Sequence, residues 1–538
     1  MRVSVHKGFG FFFGALLMAA LAIPPAFAAD TQEINTQRGL SDAELGHLRN
    51  FVSLARQDMD DWSGWEGSDQ KGMEAYRYQI AFMTYALALQ QYHSTPAYRD
   101  LYQDTMNRLI ERMLEKPVWD FWEEVSKSSP KFDPDYEGPR PSERDPVGKK
   151  NIMYSGHVVH MIALHEMLFD DERWSQPGAI TFRWNSDEAY AYDLAGLVDI
   201  IHEEMMAPRL EGGRDVGAME CEPNLVFPEC NQHPTLAFML FDDHRDTDYA
   251  ERTIPALKGF FDNTEMHSPR NAHTAAYYYV KQDRTLHIPM VNSASADGWT
   301  GAFMHVWDPD TIEGLYPKHR DDYVKTDPKT GATRLAPDPS AALGLAFFAN
   351  LAVEVGDMQT AEKLFAFAEE HYASVTDERG FRYMPQRGEG MLPVNNTTDK
   401  LMALARSNRP DGLLKMHNEP RGEEGFAHPL LQNVDFPNVM VRSAYWDEEE
   451  TSLNFTLTTL DGGETETSFE ISNLGPGAYE LFVGGESVGG LDRFGQTSTT
   501  RGLVSLKNGN ILQVPTTVGI DTQFSLRAHS KEENRIGP

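Results

Sequence analysis

Cysteine is nearly absent from this 538-residue chain, which has only Cys221 and Cys230. Two thiols exclude every zinc module that needs four cysteines and leave room for at most one disulfide. Basic residues are also scarce, 48 against 81 acidic ones, leaving a net charge of −33. Such a surface repels phosphate backbones and anionic polymers, so nucleic acid is not an expected partner. After the first residues no hydrophobic run approaches membrane length, and no span is expected once the leader is removed. There is no GxGxxG after a strand, no P-loop, no GxSxG elbow and no HExxH; His202-Glu-Glu-Met-Met fails at the fifth position. Cys-x8-Cys is too wide for a zinc knuckle. Neither a metal nor a cofactor is expected.

The N-terminus carries a positive start at Arg2 and Lys7, an apolar run from Phe9 to Ile23 and a small-x-small site at Ala26-Phe-Ala28. Residues 1–28 therefore read as a signal peptide, and the chain as a periplasmic or secreted protein beginning near Ala29. The mature chain is too long for one ordinary core, so two domains are expected, at 29–430 and 436–530.

From Ser41 to about Arg406 the pattern is helical. Ser41-Asp-Ala-Glu44 predicts a capping box, and Tyr76 to Tyr92 a helix apolar nearly all round. Further helices are predicted at Leu101–Leu114, Ile152–Asp170, Ala189–Met206, Gln232–Asp243, Thr253–Asn263, Ala296–Trp307, Ala341–Val355 and Thr360–Tyr372. The proline-rich, charged stretch from Pro130 to Pro146 predicts a long surface loop. Helices of similar length joined by alternating short and long loops suggest a toroid of paired helices, with a plain bundle as the rival. After about Phe436 the pattern changes to apolar/polar alternation broken by turns such as Asp461-Gly-Gly463 and Asn508-Gly-Asn510. That predicts an antiparallel β-sandwich, without a cluster of catalytic residue types.

Two stretches carry chemistry. Cys221-Glu-Pro-Asn-Leu-Val-Phe-Pro-Glu-Cys230, leading into Asn231 and His233, brings thiols, a carboxylate, an amide and an imidazole to a loop that enters a helix. In an exported chain such a pair reads first as a disulfide, with functional thiols as the alternative. In Lys150-Asn-Ile-Met-Tyr-Ser-Gly-His157, Met153 and His157 share a helix face and would point into the toroid together, while Ser155-Gly156 would admit a close neighbour. A satisfied core histidine is the plainer reading of His157. His160 and His165 read as structural, since nothing in the sequence pairs with them. Asp58, Asp60 and Asp61 in an aromatic loop, with Glu222, could serve acid/base chemistry, or be a solvated turn. Trp119, Trp122, Trp299 and Trp307 read as pocket lining or as core.

Together these stretches resemble the linalool dehydratase-isomerase family. The carriers are Lys150-Asn-Ile-Met-Tyr-Ser-Gly-His157, Cys221-Glu-Pro-Asn with Cys230-Asn, and Thr247-Asp-Tyr249. Tyr78-Gln-Ile-Ala-Phe82, Val118-Trp-Asp-Phe-Trp-Glu123, Ile200-Ile-His-Glu203 and Leu315-Tyr-Pro317 support them. The resemblance spans about 45 to 410 and implies an (α/α)6 barrel. It also implies cofactor-free removal of water from a tertiary allylic alcohol, with interconversion of linalool and geraniol, and a homopentamer. It makes His157, Cys221 and Cys230 the active-site residues and moves the thiol reading ahead of the disulfide. Met153 and Tyr78 match pocket residues, and Asp61 is the best match to an aspartate supplied by a neighbouring subunit. Glu222, Phe227, Trp299 and Tyr154 complete the expected substrate pocket. The family's structural disulfide is missing, with Glu115 at one of its positions, and a pocket tyrosine is replaced near Ser295. The rival readings are a carbohydrate-active enzyme on the same kind of toroid, and a non-catalytic scaffold held by a disulfide.

Overall fold

The computed structural model describes residues 39–529, except 68–69, 71, 149, 208–216, 288–292, 336–340, 385–393, 461, 493–495, 500–504 and 508–510. The expected leader lies outside the described residues.

Two shells of helices alternate along the chain. The outer helices are α1 (Asp42–Ala55), α3 (Asp100–Met113), α5 (Leu194–Met206), α7 (Tyr249–Asn263), α9 (Pro309–Tyr323) and α11 (Met358–His371). The inner ones are α2 (Tyr76–His93), α4 (Ile152–Phe169), α6 (Gln232–Arg245), α8 (Ser293–Met304), α10 (Ala341–Glu354) and α12 (Asn396–Ser407). Each inner helix packs on the next, and α12 packs back on α2, so the inner six close a ring.

The division follows from which faces are apolar. Every residue of α4 is buried, which a helix tolerates only when surrounded on all sides. α3 instead buries Leu101, Tyr102, Met106, Leu109, Ile110 and Met113 along one stripe. α1 opens with the expected capping box: the Glu44 N–H donates to Ser41 Oγ (3.3 Å) and the Ser41 N–H to Glu44 Oε2 (2.8 Å). Such a cap contributes about 1 kcal/mol. Where inner helices touch most closely, side chains disappear. A Cβ on Gly298 of α8 would lie 2.6 Å from the Phe347 carbonyl carbon of α10, and one on Gly156 of α4 would lie 3.0 Å from Pro234 Cδ of α6.

Two expectations need correction. Ala189–Tyr192 is a strand paired with Ile180–Arg183, and the helix starts only at Leu194. Asp193 sets that start by accepting the Gly196 N–H at 2.9 Å. Helices α9 and α12 were not foreseen, since Pro317 inside α9 reads as a breaker and α12 opens on the polar Asn396-Thr-Thr-Asp399. The 130–146 stretch is loop, as expected. It is tied down through buried Asp133, which accepts from Lys281 and from Gln282 Nε2 (3.1 Å).

From Leu430 onward the chain forms two antiparallel sheets. One orders Leu430–Gln432, Thr465–Ser472, Ile511–Val518 and Ser505–Lys507. The other orders Met440–Asp447, Ser452–Thr458, Thr522–Ala528, Tyr479–Val483, Glu486–Leu491 and Thr497–Thr499. Phe455 and Phe524 of the larger sheet stack at 4.9 Å, and Phe469 of the smaller meets both edge-on. The sheets are joined to the ring through backbone bonds of the turn after α2: the Ala97 N–H donates to Ala444 O and the Leu431 N–H to Ala97 O, both at 2.9 Å. No described helix is long and apolar enough to cross a membrane.

Candidate functional site

The two chemistry-bearing stretches form one unit. Lys150 Nζ donates to Glu220 Oε1 and the Ile152 N–H to the Glu220 carbonyl, at 3.2 and 3.3 Å. Asn231 stitches the cysteine loop shut, accepting the Met219 N–H (2.7 Å) and donating to Met219 O and Phe227 O. Asn224, at φ +79°, anchors its far side through the Lys281 N–H and Phe132 O. Tyr78, Met153, His157 and His233 all lie in the first two turns of inner helices, so the residues gather at one end of the ring.

His157 is fully buried. Its Nδ1 bonds the Tyr85 hydroxyl at 2.8 Å, while its Nε2 has no partner among the described residues. Tyr78 and Phe82 stand edge-on to the imidazole, both at 5.9 Å, and Trp299 lies parallel to it at 6.2 Å, backed by Phe347. Met153, one turn before His157, reaches Cys230 Sγ at 3.9 Å. The result is an aromatic and thioether wall with one unpaired imidazole nitrogen. Ser295, one turn before Trp299, adds a second unpaired buried polar atom, its Oγ.

Behind His157 runs a chain of imidazoles whose tautomers are fixed from both ends. Trp299 Nε1–H donates to His233 Nε2 (3.0 Å), so the His233 proton is on Nδ1, facing His160 Nδ1 at 3.4 Å. His160 must then donate from Nε2 to His417 Nε2 (2.9 Å), and His417 Nδ1–H donates to Leu413 O (2.8 Å). Burial holds His157, His160 and His233 well below the ordinary imidazole value and takes His417 down to about 4, so all four are neutral. The reading of His160 as unpaired is thus corrected: its partners come from α6 and from residue 417, distant in sequence. His165 has no hydrogen-bond partner among the described residues.

Two carboxyls adjoin the cysteines. Glu222 and Glu229 are each half-buried overall, yet each Oε2 is sealed from solvent and unpartnered among the described residues. Burial pushes Glu222 up to about 7, against the pull of Arg77 and Lys131, and Glu229 up to about 8, with the Glu222 charge adding to the rise. Both also act electrostatically on the Tyr78 hydroxyl. Arg77 is itself buried, its guanidinium over the rings of Tyr78 (4.5 Å) and Phe121 (4.1 Å).

The cysteines depart from the thiol expectation. Cys221 and Cys230 are joined in a disulfide, with Cα atoms 6.8 Å apart, and no described cysteine is free. The loop closure that brings both buried sulfurs together also puts them within bonding reach.

The remaining expected residues separate from this group. Tyr154 is buried on another face of α4, where its hydroxyl donates to Met113 O (2.6 Å) and its ring meets Phe182. A spacing of one residue from Met153 turns it about 100° away, so Tyr154 supports the fold rather than lining the pocket. Phe227 packs against Tyr277 at 5.2 Å, on the outer strand side of the loop. Asp61, with Asp58 and Asp60, is exposed in the turn after α1. Its carboxylate accepts the Ser63 N–H at 2.9 Å, which holds it below the usual carboxylate range. Arg112 pins that turn through the carbonyls of Gln57, Asp58 and Asp61, each at 3.0 Å. Within one chain Asp61 does not meet His157. Tyr85, His417, Phe347 and Glu229 were not foreseen, although Tyr85 lies seven residues after Tyr78 on one helix face and Glu229 adjoins Cys230.

A second cluster, outside the ring, has metal-ligand composition: His273, Asp297 and His319. Its donor atoms already bond to protein. His273 Nδ1 meets Asp297 Oδ2 at 2.8 Å, its Nε2 meets Asp322 at 3.1 Å, and His319 Nε2 meets Ala272 O at 3.0 Å. The Thr274 N–H and the Tyr323 hydroxyl, both at 2.6 Å, complete the Asp297 shell. Glu166, Glu172 and His244 form another such group, but Arg245 already sits on Glu166.

The family model of linalool dehydratase/isomerase matches residues 77–389, more than half of the chain and the whole stretch from α2 to the segment before α12. Among solved structures, the chain is similar to a GH76 alpha-mannanase of Bacteroides thetaiotaomicron at 10% identity and a TM-score of 0.40, covering 70% of this chain and 97% of that one. An unsaturated glucuronyl hydrolase from a Bacillus species matches at 12% identity and 0.39, covering 70% and 96%. A D-mannose isomerase matches at 11% and 0.40, covering 70% and 98%.

Proposed function

This chain belongs to the linalool dehydratase/isomerase family, and on that premise we propose that it is a cofactor-free hydro-lyase and isomerase of a small apolar alkenol, built on an (α/α)6 barrel. The observation that carries this reading is the enclosed wall of Tyr78, Phe82, Met153 and Trp299 around a single unpaired His157 nitrogen. Losing water from an allylic alcohol needs an acid at the hydroxyl, a base at the neighbouring carbon and apolar walls around cation-like charge. His157 Nε2 holds the hydroxyl end. Asp61, outward-facing on its pinned turn, serves the site of a neighbouring copy. Cys221 and Cys230 move protons or bond transiently to carbon only in the reduced chain, because a bonded sulfur has no proton to give and no lone thiolate to attack with. The two C-terminal sheets form a sandwich that braces the ring, and the protein works outside the cytoplasm, where its cysteines can cycle.

The test is turnover of linalool and of shorter alkenols by the mature protein, oxidised and after reduction, with diene and isomer products quantified. Reduced protein that forms diene, and loses it in Cys221→Ala and Cys230→Ala, supports the reading. A wild type inactive on every alkenol in both states defeats it. Wild-type activity unchanged in both cysteine variants removes the sulfur roles alone.

A further inference from the structure

Asp61 is held ionised by its own turn, the His157 imidazole is neutral, and the sulfurs are bonded. A dehydration site so arranged still needs a group that carries a proton to the leaving oxygen. Glu222 and Glu229 answer that need by their placement. They are the inner neighbours of Cys221 and Cys230, so the bond between the cysteines gathers both carboxyls at one loop closure. The Leu225 N–H donates to the Glu222 backbone carbonyl (2.9 Å), and Glu229 lies two residues before Asn231, the N-cap of α6. Buried carboxyl oxygens normally accept at least one hydrogen bond; here two such oxygens have no partner among the described residues. Structural carboxyls in this same chain are saturated, as Asp297 is, which makes an unsaturated pair unusual.

We propose that Glu229 and Glu222 supply the acid and the base of the dehydration. The proposal rests on the alkenol reading above. The guanidinium of Arg77 favours the ionised form of Glu222, and a charged Glu222 keeps the proton on Glu229. Glu229 gives its proton to the substrate hydroxyl, and the C–O bond breaks with its electron pair leaving on water. Glu222 takes a proton from the adjacent carbon, and the C–H electrons become the C=C bond. The pair ends as Glu222 carboxylic acid and Glu229 carboxylate, one proton and one negative charge as at the start, and a transfer between them resets it. No oxidant or reductant enters, so the step balances in either sulfur state.

The experiment compares wild type, Glu229→Gln and Glu222→Gln, each oxidised and reduced, in alkenol turnover across pH, with an infrared spectrum of each resting protein near neutral pH. The expected result is a kcat loss of about 100-fold or more in each variant, in every redox state in which the wild type turns over. The wild type should show a basic pH limb that Glu229→Gln abolishes. The C=O stretch of a buried carboxylic acid should be present in wild type and lost in Glu229→Gln, a signature independent of turnover. An active wild type with both variants within threefold and an unchanged pH limb overturns the pair while leaving the alkenol reading intact. Absence of the carboxylic acid band in wild type overturns it as well. A wild type inactive on all alkenols overturns both. A variant that loses activity together with its cooperative melting is replaced by the Asp substitution at the same position, where partial recovery of kcat supports the pair and none counts against it.

Discussion

Helix α8 separates two clusters made of the same residue types. On its inner side Trp299 faces His157, His233 and, beyond them, His160 and His417; on its outer side Asp297 faces His273, His319 and Tyr323. The inner histidines are driven below their ordinary value by burial and stay neutral. Outside, burial would lower His273, but its bond to Asp297 and the charges of Asp297 and Asp322 lift it above that value. Burial would likewise raise Asp297, but His319, His273 and Tyr323 together hold it below the usual carboxylate range. The lesson is that partners, not residue identity, decide charge. The outer cluster is saturated around an ionised carboxylate, as a structural element is; the inner one is neutral and left with unpaired atoms, as a site that receives a ligand is.

Four measurements test that contrast. The largest effect belongs to the outer cluster. Asp297→Ala strands His273, the Thr274 N–H and Tyr323, and should cost about 4 kcal/mol in a denaturant titration. Next is acid. A histidine whose folded value is depressed stabilises the fold above its unfolded value of about 6.5, and that contribution drains away as pH falls toward the folded value. For His417, at about 4, the loss is about 3 kcal/mol. His273 works in the opposite sense: its value is raised, so its contribution is complete below about 6.5 and lost as pH climbs through the folded value. Melting temperature should therefore drop between pH 6.5 and 4, and His417→Phe should flatten that drop. Third, His160→Phe leaves His233 Nδ1 and His417 Nε2 unpaired and should cost about 2 kcal/mol. Smallest is Tyr154→Phe, which removes one bond to Met113 O and should cost about 1 kcal/mol with kcat unchanged. A large loss of kcat there would move Tyr154 back into the pocket.

The ring was legible because burial dictates composition: α2 and α4 are apolar around their circumference, and no polar surface helix can be. The strands after Met440 were legible because one face of each alternates. Of the site, Met153 and His157 could be paired from spacing alone, since four residues make one turn. The disulfide could not be decided, because the same two sulfurs serve either chemistry and the sequence holds no record of their distance. Glu229 was invisible for another reason. In a chain with 81 acidic residues an added glutamate reads as surface charge, and only the sealing of its oxygen distinguishes it. The imidazole chain was hidden because its members come from three segments as far apart as His160 and His417.

The contact between α12 and α2 is the last in the ring that a growing chain can make. A ring of six has no ends, so its last seam joins residues more than 300 positions apart, as in the bond from Gln90 Nε2 to Ser407 Oγ. Until the chain has been made as far as α12, the first inner helix has no neighbour on one side and shows that flank to water. That seam has a very large sequence separation, so its closure, rather than helix formation, sets the pace of folding. A chain cut just before α12 would remain an open crescent with two sticky edges, ready to pair with another of its kind.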